Sequence, residues 1–197
     1  MSSDLITIKR ALISLSDKTN IKLIVDIVKK YNIEVLSTGG TAKLLREQGV
    51  TVTDVSDYTN FPEMLDGRVK TLHPKIHGGL LGRYNLTAHK NEMKQYDIEP
   101  INLVIVNLYP FSNAVKNNLN FDECIENIDI GGPSMIRSAA KNHENVCILT
   151  NPNDYKKFKQ ILDKNNGATD LKDRKLYAAM AFAKTAYYDS LISQWFN

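Results

Sequence analysis

Residues 11–19 read ALISLSDKT, an apolar run of strand length followed at once by serine, aspartate, lysine and threonine. Short apolar runs bounded by polar residues are typical of buried β-strands, and the polar residues suit the start of a helix. Similar runs occur at residues 34–36, 51–55, 103–108 and 146–149, and helical patterns separate them. This alternation predicts an α/β fold, with βα units forming a mostly parallel sheet flanked by helices.

Polar motifs follow three of these runs, where the carboxyl ends of parallel strands meet. Ser16 and Lys18 follow the first run, residues 38–41 (TGGT) follow the second, and Asn107 and Tyr109 follow the fourth. The glycines, hydroxyls and backbone N–H groups of TGGT suit an anion, although the segment lacks the P-loop spacing and the dinucleotide fingerprint. Because ligands of open α/β sheets bind at this edge, the motifs predict one anion site. Helix capping by the same side chains is the structural alternative.

The segment at residues 66–79, DGRVKTLHPKIHGG, concentrates cations, a hydroxyl and two histidines. Arg68 and Lys70 stand two apart and so point the same way from an extended chain. One could anchor a phosphate while the other takes part in the chemistry. The segment does not read as a periodic helix, and residues 61–82 as a whole predict a functional loop.

The two histidines of that segment raise the question of a metal site. His73 and His77 are four residues apart, as helical metal ligands often are, but Pro74 argues against a helix and no acidic third ligand stands nearby. We therefore expect no metal. We expect His143, further along the chain, to be a structural hydrogen-bonding residue near a helix end.

Residues 126–143 read ENIDIGGPSMIRSAAKNH and combine a carboxylate, a glycine pair, a helix start and a lysine. Asp129 ends a short apolar run, the glycine pair permits close backbone approach, and Pro133 suits the first turn of a helix. Lys141 follows about two turns along that helix, near its end. The segment predicts one wall of an active site. An ordinary loop with a solvated lysine, in which Asp129 caps the helix, is the alternative.

The composition favours a single globular domain with a helical appendage. The chain has 197 residues and 43% hydrophobic content, enough to bury a full core. A net charge of +3, with interleaved signs, argues against a nucleic-acid surface. No apolar run is long enough for a membrane span, and the N-terminus lacks the features of a secretory signal. Cys124 and Cys147 have no disulfide or metal-motif spacing, so a cytoplasmic location is expected.

Residues 171–196 predict a final helix whose apolar positions share one stripe. The stripe comprises Leu176, Met180, Ala183, Tyr187 and Leu191. We interpret it as core or as a subunit contact, not as part of a cofactor site.

Five motifs stand in the order found in one protein family: SLSDKT, STGGTAKLL, GRVKTLHPKIHGGLL, NLYPF and IDIGGPSMIRSAAKNH. Almost end to end, the chain resembles the inosine monophosphate cyclohydrolase domain, the N-terminal half of a bifunctional purine biosynthesis enzyme that also carries a formyltransferase. The resemblance implies a methylglyoxal synthase-like three-layer fold over residues 1–150 and a C-terminal helical extension over residues 151–197. It also implies a homodimer, linked covalently to the formyltransferase domain in the full-length protein.

The chain departs from the family pattern at two places. Asn20 stands where the family usually has glycine, at the start of the first helix, and we expect this to matter little. The formyltransferase half does not follow Asn197. We therefore expect an excised domain, with a naturally single-function protein as the alternative.

The activity implied by the resemblance is closure of the second purine ring, in which 5-formamidoimidazole-4-carboxamide ribonucleotide loses water to give inosine monophosphate. This is the ring-closing direction of a cyclic amidine hydrolase, and it needs no metal or redox cofactor. Lys141 resembles the family's proton-transfer residue, with Lys70, Tyr109 and Asp129 around the reacting base. The positions matching the family's nucleotide-binding residues are Ser16, Asp17, Lys18, Thr38, Gly39, Gly40, Thr41, Arg68, Val69, Thr71, Val106, Asn107, Ile130 and Gly131.

Two other functions occur on the same fold, which alone does not decide function. One is a regulatory module that binds small anions without catalysis, and the other is methylglyoxal synthase, which eliminates phosphate. A phosphate sensor has no need of GRVKTLHP or DIGGPSMIRSAAKNH, and a catalytic carboxylate pattern for methylglyoxal synthase is not evident. The cyclohydrolase is therefore the preferred interpretation. For Tyr109 a packed aromatic role is the alternative to a catalytic one.

Overall fold

The computed structural model describes residues 4–197. Its strands are β1 (Ile6–Thr7), β2 (Arg10–Leu15), β3 (Glu34–Ser37), β4 (Val52–Asp54), β5 (Leu103–Asn107), β6 (Cys147–Leu149) and β7 (Ala168–Thr169). Its α-helices are α1 (Ile21–Lys30), α2 (Gly39–Glu47), α3 (Val55–Thr59), α4 (Pro74–Leu81), α5 (Thr87–Gln95), α6 (Phe111–Lys116), α7 (Phe121–Glu126), α8 (Gly131–Lys141), α9 (Tyr155–Lys164) and α10 (Leu171–Phe196).

The central sheet is parallel, with the strand order β4-β3-β2-β5-β6. Ala11 in β2 pairs with Val35 on one side and Leu103 on the other, and Leu103 pairs in turn with Cys147. The strand-like runs in the sequence correspond to these strands, so the prediction of a parallel α/β sheet is confirmed. The short antiparallel pair β1-β7 is not anticipated by the sequence, because a two-residue strand carries no periodic pattern.

Both faces of the central sheet are covered. Ala11, Leu12 and Ile13 are consecutive in β2, yet each is at most 1% exposed, and every residue of β5 is buried. Because successive side chains point to opposite faces, such continuous burial requires a layer on each side. Helix α1 packs against α9, while α8 packs against α4, α10 and β5. The three-layer α/β fold implied by the resemblance is thus confirmed.

The final helix, α10, has the bounds predicted for it, but it buries a different face. Tyr177, Ala178, Ala181, Thr185 and Tyr188 are buried in the chain. Most of the predicted stripe is exposed instead, with Leu176 at 44% and Tyr187 at 60%, and only Leu191 is half-buried. The interpretation of that stripe as core is therefore wrong, because this helix carries apolar side chains on two faces. Among the helices within residues 4–197, none is both long and apolar enough to cross a membrane.

Residues 74–81 form helix α4, contrary to the expectation that this segment is not helical. Pro74 occupies the first helical turn, where its missing N–H has no intrahelical partner to lose. His73 is the N-cap, and its Nδ1 accepts a hydrogen bond from the Lys75 N–H at 3.1 Å. The Nδ1 of His77 lies 3.0 Å from Ser138 Oγ in α8. Within residues 4–197, no cluster of three or more His, Cys, Asp or Glu side chains is placed to hold a metal ion.

Arg174, near the start of α10, ties distant segments of the chain together. Its side chain is 2% exposed. Its Nε donates to the His143 carbonyl at 2.8 Å, and its Nη2 donates to the carbonyls of Asp4 at 2.9 Å and Glu144 at 3.2 Å. Nη1 donates to the carbonyl of Thr169 in β7. These charge-assisted bonds compensate the burial of the guanidinium.

Candidate active site

The carboxyl ends of β2, β3 and β5 border one open groove. It consists of two adjoining cavities of about 590 and 640 Å³, both lined by Ser14, Thr38, Lys70 and Asp129. The further lining includes Ser16, Lys18, Gly39, Gly40, Thr41, Arg68, Thr71, Asn107, Tyr109, Glu126, Ile130 and Gly131. Most of the site residues predicted from the sequence thus come together at the sheet edge where ligands of α/β folds bind.

The turn from Thr38 to Thr41 begins helix α2 and faces the groove with its backbone. Gly39 has φ +50, a left-handed conformation that glycine adopts without strain. A Cβ placed on Gly39 or Gly40 would meet no atom within 4 Å, so the turn borders open space. The first N–H groups of a helix have no intrahelical acceptor, and here they border the groove. The Thr41 hydroxyl is engaged with Leu15, from whose N–H it accepts a bond at 3.0 Å.

Asn107, the last residue of β5, organises the loop after β2. Its Oδ1 accepts bonds from the N–H groups of Ser16 at 2.7 Å and Asp17 at 2.8 Å, and its Nδ2 donates to the Asp17 carbonyl at 2.7 Å. The Thr19 hydrogen bonds hold the pKa of the Asp17 carboxyl below its usual value. Asn107 and Asp17 therefore shape the loop, while Lys18 lines the groove.

Arg68 and Lys70 face the groove, but each is paired with a carboxylate. Arg68 forms a two-pronged salt bridge with Glu126, and the Lys70 Nζ lies 2.8 Å from Glu63 Oε1. Both pairs are substantially exposed, and ion pairs of this kind contribute little to stability. An incoming anion would therefore meet cations that exchange partners easily.

A tight turn holds these two cations in place. Met64 and Val69 pair through their backbones, and between them Leu65, Asp66 and Gly67 have φ values of 56, 51 and 88. The left-handed region is unfavourable for a leucine, so the turn stores local strain of the kind that clusters at ligand-binding segments. Val69, a predicted site residue, contributes through this backbone pairing.

Asp129 is held at the groove by its backbone and by its side chain. Its Oδ1 accepts a bond from the Gly132 N–H at 2.7 Å, so the carboxylate does cap the start of α8. Its own N–H donates to the Tyr188 hydroxyl at 2.8 Å. Burial raises the pKa of the Asp129 carboxyl, against the opposing effect of hydrogen bonds from the Gly132 and Tyr109 backbones. The capping alternative and a place at the groove thus hold together.

The remaining predicted site residues differ in how much of each side chain faces the groove. Tyr109 is 50% exposed, which does not fit the packed aromatic alternative. Ile130 is also largely exposed, and Gly131 approaches Thr71 so closely that a Cβ would lie 3.0 Å from its Oγ1. Val106 is buried in β5, so its side chain is not accessible to a ligand.

Lys141 lies away from this groove. It is the last residue of α8, ten positions beyond Gly131, which corresponds to about 15 Å along a helix axis. It lines a separate cavity of about 300 Å³ with Leu81, Arg83 and residues 142–144. One chain therefore does not bring Lys141 together with Lys70, Tyr109 and Asp129, because the helix that starts at the groove carries its last residue out of reach.

Three groove features escape the sequence analysis. Glu63 and Glu126 partner the two cations, and both lie beside recognised motifs, so a search for nearby opposite charges could have found them. Tyr188 contacts Asp129 from 59 residues further along the chain. No local pattern signals so distant a contact.

Comparison with known proteins assigns the chain to a family. The family described as "MGS-like domain" matches residues 21–134, more than half of the chain, and the family described as "AICARFT/IMPCHase bienzyme" matches residues 139–197. The chain belongs to the MGS-like domain family. This agrees with the methylglyoxal synthase-like fold implied by the sequence motifs.

Individual relatives narrow the similarity further. The chain is 52% identical over 190 residues to the bifunctional purine biosynthesis protein PurH of Bradyrhizobium diazoefficiens, covering 96% of this chain and 36% of that protein. It is 54% identical over 194 residues to PurH of Leptospira biflexa, covering 98% of this chain and 38% of that protein. The chain thus spans little more than a third of the length of these relatives and matches their N-terminal part, which confirms the resemblance stated from the motifs.

A solved structure shares the fold over its full length. The crystal structure of ForH superposes with a TM-score of 0.83 at 32% identity, covering 97% of this chain and all of that one. The two chains therefore share one fold.

Proposed function

We propose that this chain is an inosine monophosphate cyclohydrolase, which closes 5-formamidoimidazole-4-carboxamide ribonucleotide to inosine monophosphate with loss of water. The observation that carries the proposal is one groove that combines the turn at residues 38–41, the cations Arg68 and Lys70, and the carboxylate of Asp129. The similarity to PurH and to the AICARFT/IMPCHase bienzyme family supports the same activity.

In this proposal the nucleotide phosphate binds at the start of α2. The free N–H groups of the turn at residues 38–41 and the positive end of the helix dipole favour an anion there. Lys18 lines the same cavity and adds a positive charge. Arg68 turns from Glu126 to the phosphate, because its planar fork suits either group.

The ring-closing step joins the carboxamide nitrogen to the formyl carbon. The formyl oxygen leaves as water, taking one proton from the carboxamide nitrogen and one from the formamide nitrogen. Asp129 accepts the first of these protons, and its raised pKa makes it a stronger base than an ordinary carboxylate. Lys70 faces the negative charge that develops on the formyl oxygen, and Tyr109 lies beside the reacting base.

Proton transfer by Lys141 requires a second copy of the chain in this scheme. Lys141 stands outside the groove of its own chain, so only a partner could bring the equivalent lysine to it. We propose a homodimer for this reason, with the exposed stripe of α10, including Leu176, Met180 and Tyr187, as a contact surface. Sedimentation of the chain at micromolar concentration tests the dimer directly.

The relatives and the two cysteines support proposals about the partner domain and the cellular location. The curated relatives are bifunctional, so we propose a formyltransferase domain as the covalent or separate partner that supplies the formylated substrate. Cys124 and Cys147 are buried free thiols, which fit a reducing compartment, and we propose the cytoplasm.

The decisive experiment is incubation of the chain with the formylated ribonucleotide while absorbance is followed. We expect turnover without formyltetrahydrofolate, metal or nucleoside triphosphate, because both reacting groups lie in one substrate molecule. Binding of nucleotide without turnover would instead identify a small-anion-binding module. A need for formyltetrahydrofolate in the cyclisation itself would refute the proposal.

A further inference from the structure

Tyr188 contacts the candidate active site from the last helix of the chain. It is 4% exposed, and its hydroxyl accepts the hydrogen bond from the Asp129 N–H at 2.8 Å. Burial raises the pKa of the Tyr188 hydroxyl, so it stays protonated at neutral pH. A buried tyrosine hydroxyl needs a polar partner, and this one is the backbone of the proposed catalytic base.

Hydrogen bonds to two different helices, α8 and α10, contribute to the placement of Asp129. The Gly132 N–H at the start of α8 orients the carboxylate, while Tyr188 in α10 fixes the position of the backbone. Catalytic groups must be held within about 0.5 Å of their working geometry, and residues behind them supply that restraint. The bond from Gly132 restrains the direction of the carboxylate, and the bond to Tyr188 restrains the backbone that carries it, so both are needed.

We propose that Tyr188 is a positioning residue for Asp129 in ring closure, an inference that rests on the function proposed above. Tyr188 acts through the Asp129 backbone and lines neither of the two cavities that form the groove. Its loss therefore affects the chemical step and leaves nucleotide binding nearly unchanged. The last helix is then part of the catalytic unit and not only a cover for the core.

Tyr188→Phe tests this, because it removes the hydroxyl and keeps the ring. A displacement of about 1 Å at a reacting group can cost about 100-fold in rate, so we expect kcat to fall roughly 10-fold or more with KM within twofold. The matched control is Tyr177→Phe, another buried tyrosine of α10, whose hydroxyl has no hydrogen-bond partner within residues 4–197. It should keep wild-type kcat and KM.

A double variant separates positioning from general structure. If Tyr188 acts through Asp129, Tyr188→Phe should have little further effect on kcat in an Asp129→Asn background. Should Tyr188→Phe fold poorly, 3-fluorotyrosine at position 188 keeps the fold and weakens the acceptor, and kcat should fall at constant KM. Faster hydrogen exchange of the Asp129 amide in Tyr188→Phe would report the lost bond without any turnover.

The outcomes are distinguishable from those that concern the function itself. If the parent chain is active and Tyr188→Phe has the same kcat as Tyr177→Phe, this inference is overturned and the proposed function is not. Additive losses in the double variant with Asp129→Asn also overturn it. An inactive parent chain overturns the proposed function and this inference with it, while the exchange rate at Asp129 still reports whether the bond exists.

Discussion

Gly132→Ala tests how closely the start of α8 packs against the proposed catalytic residue Asp129. A Cβ at position 132 would overlap Asp129 Oδ2 and would lie 2.6 Å from Leu108 Cδ2. Neither neighbour moves freely, because Asp129 is bonded to the Gly132 N–H itself and Leu108 is buried in the core. Overpacking of this kind costs about 1–3 kcal/mol. For a chain of this size, each kcal/mol corresponds to a melting temperature lower by roughly 2–4 °C.

The same substitution should affect catalysis more than binding. Pushing the Asp129 carboxylate aside by about 1 Å can lower kcat by roughly 100-fold, while the phosphate site at residues 38–41 is untouched. Gly40→Ala is the control for stability, since its Cβ meets no atom within 4 Å and alanine is the better helix former. Thermal melts of both variants and turnover of Gly132→Ala provide the test. A Gly132→Ala chain that melts and turns over like the parent would refute this account of the glycine.

Other substitutions test the remaining assignments. Arg68→Ala should raise KM by roughly 10- to 100-fold with kcat retained, because a charge-assisted bond to phosphate acts on the ground state and the transition state alike. A collapse of kcat at fixed KM would contradict this assignment. Lys141→Met should lower kcat about 10²–10⁴-fold while the affinity for inosine monophosphate is retained. Mixing Lys141→Met with Asp129→Asn should restore activity in hybrid dimers. A mixture as inactive as the two single variants would count against a site shared between two chains. Asn20→Ala should lower the free energy of unfolding by about 1 kcal/mol, because residue 20 has φ +60. In denaturant titration Asn20→Gly should lose less, since glycine tolerates that φ and gives up only the bond from the Asn20 Nδ2 to the Pro152 carbonyl.

The sheet and the groove were predictable because their sequence signals are local. Strands buried on both faces read as apolar runs, and the polar residues that follow them all reach the same edge of a parallel sheet. Asn20 has a left-handed backbone, which asparagine and glycine both tolerate, and this fits the expectation that asparagine at this position matters little.

The errors arise where one signal permits two structures. A proline interrupts a helix when it lies in the interior but suits the first turn of one. The capping by His73 shows that Pro74 lies in the first turn of α4. Helix α10 has two apolar faces, so periodicity alone does not select the buried one. The role of Lys141 stays a prediction, because Lys141 follows Asp129 closely in sequence while the axial rise of α8 separates the two within one chain.

The guanidinium of Arg174 links the N-terminal edge of the fold to the helix that reaches the proposed catalytic site. The Arg174 side chain donates hydrogen bonds to the carbonyls of Asp4, residues 143–144 and Thr169. Opening the β1-β7 edge would therefore remove hydrogen bonds from a buried charge and loosen the start of α10. The same helix carries Tyr188 to the Asp129 loop. We therefore expect the first strand and the Asp129 loop to open as one cooperative unit, so that in the proposed enzyme partial unfolding at the N-terminal edge would stop turnover before the central sheet melts.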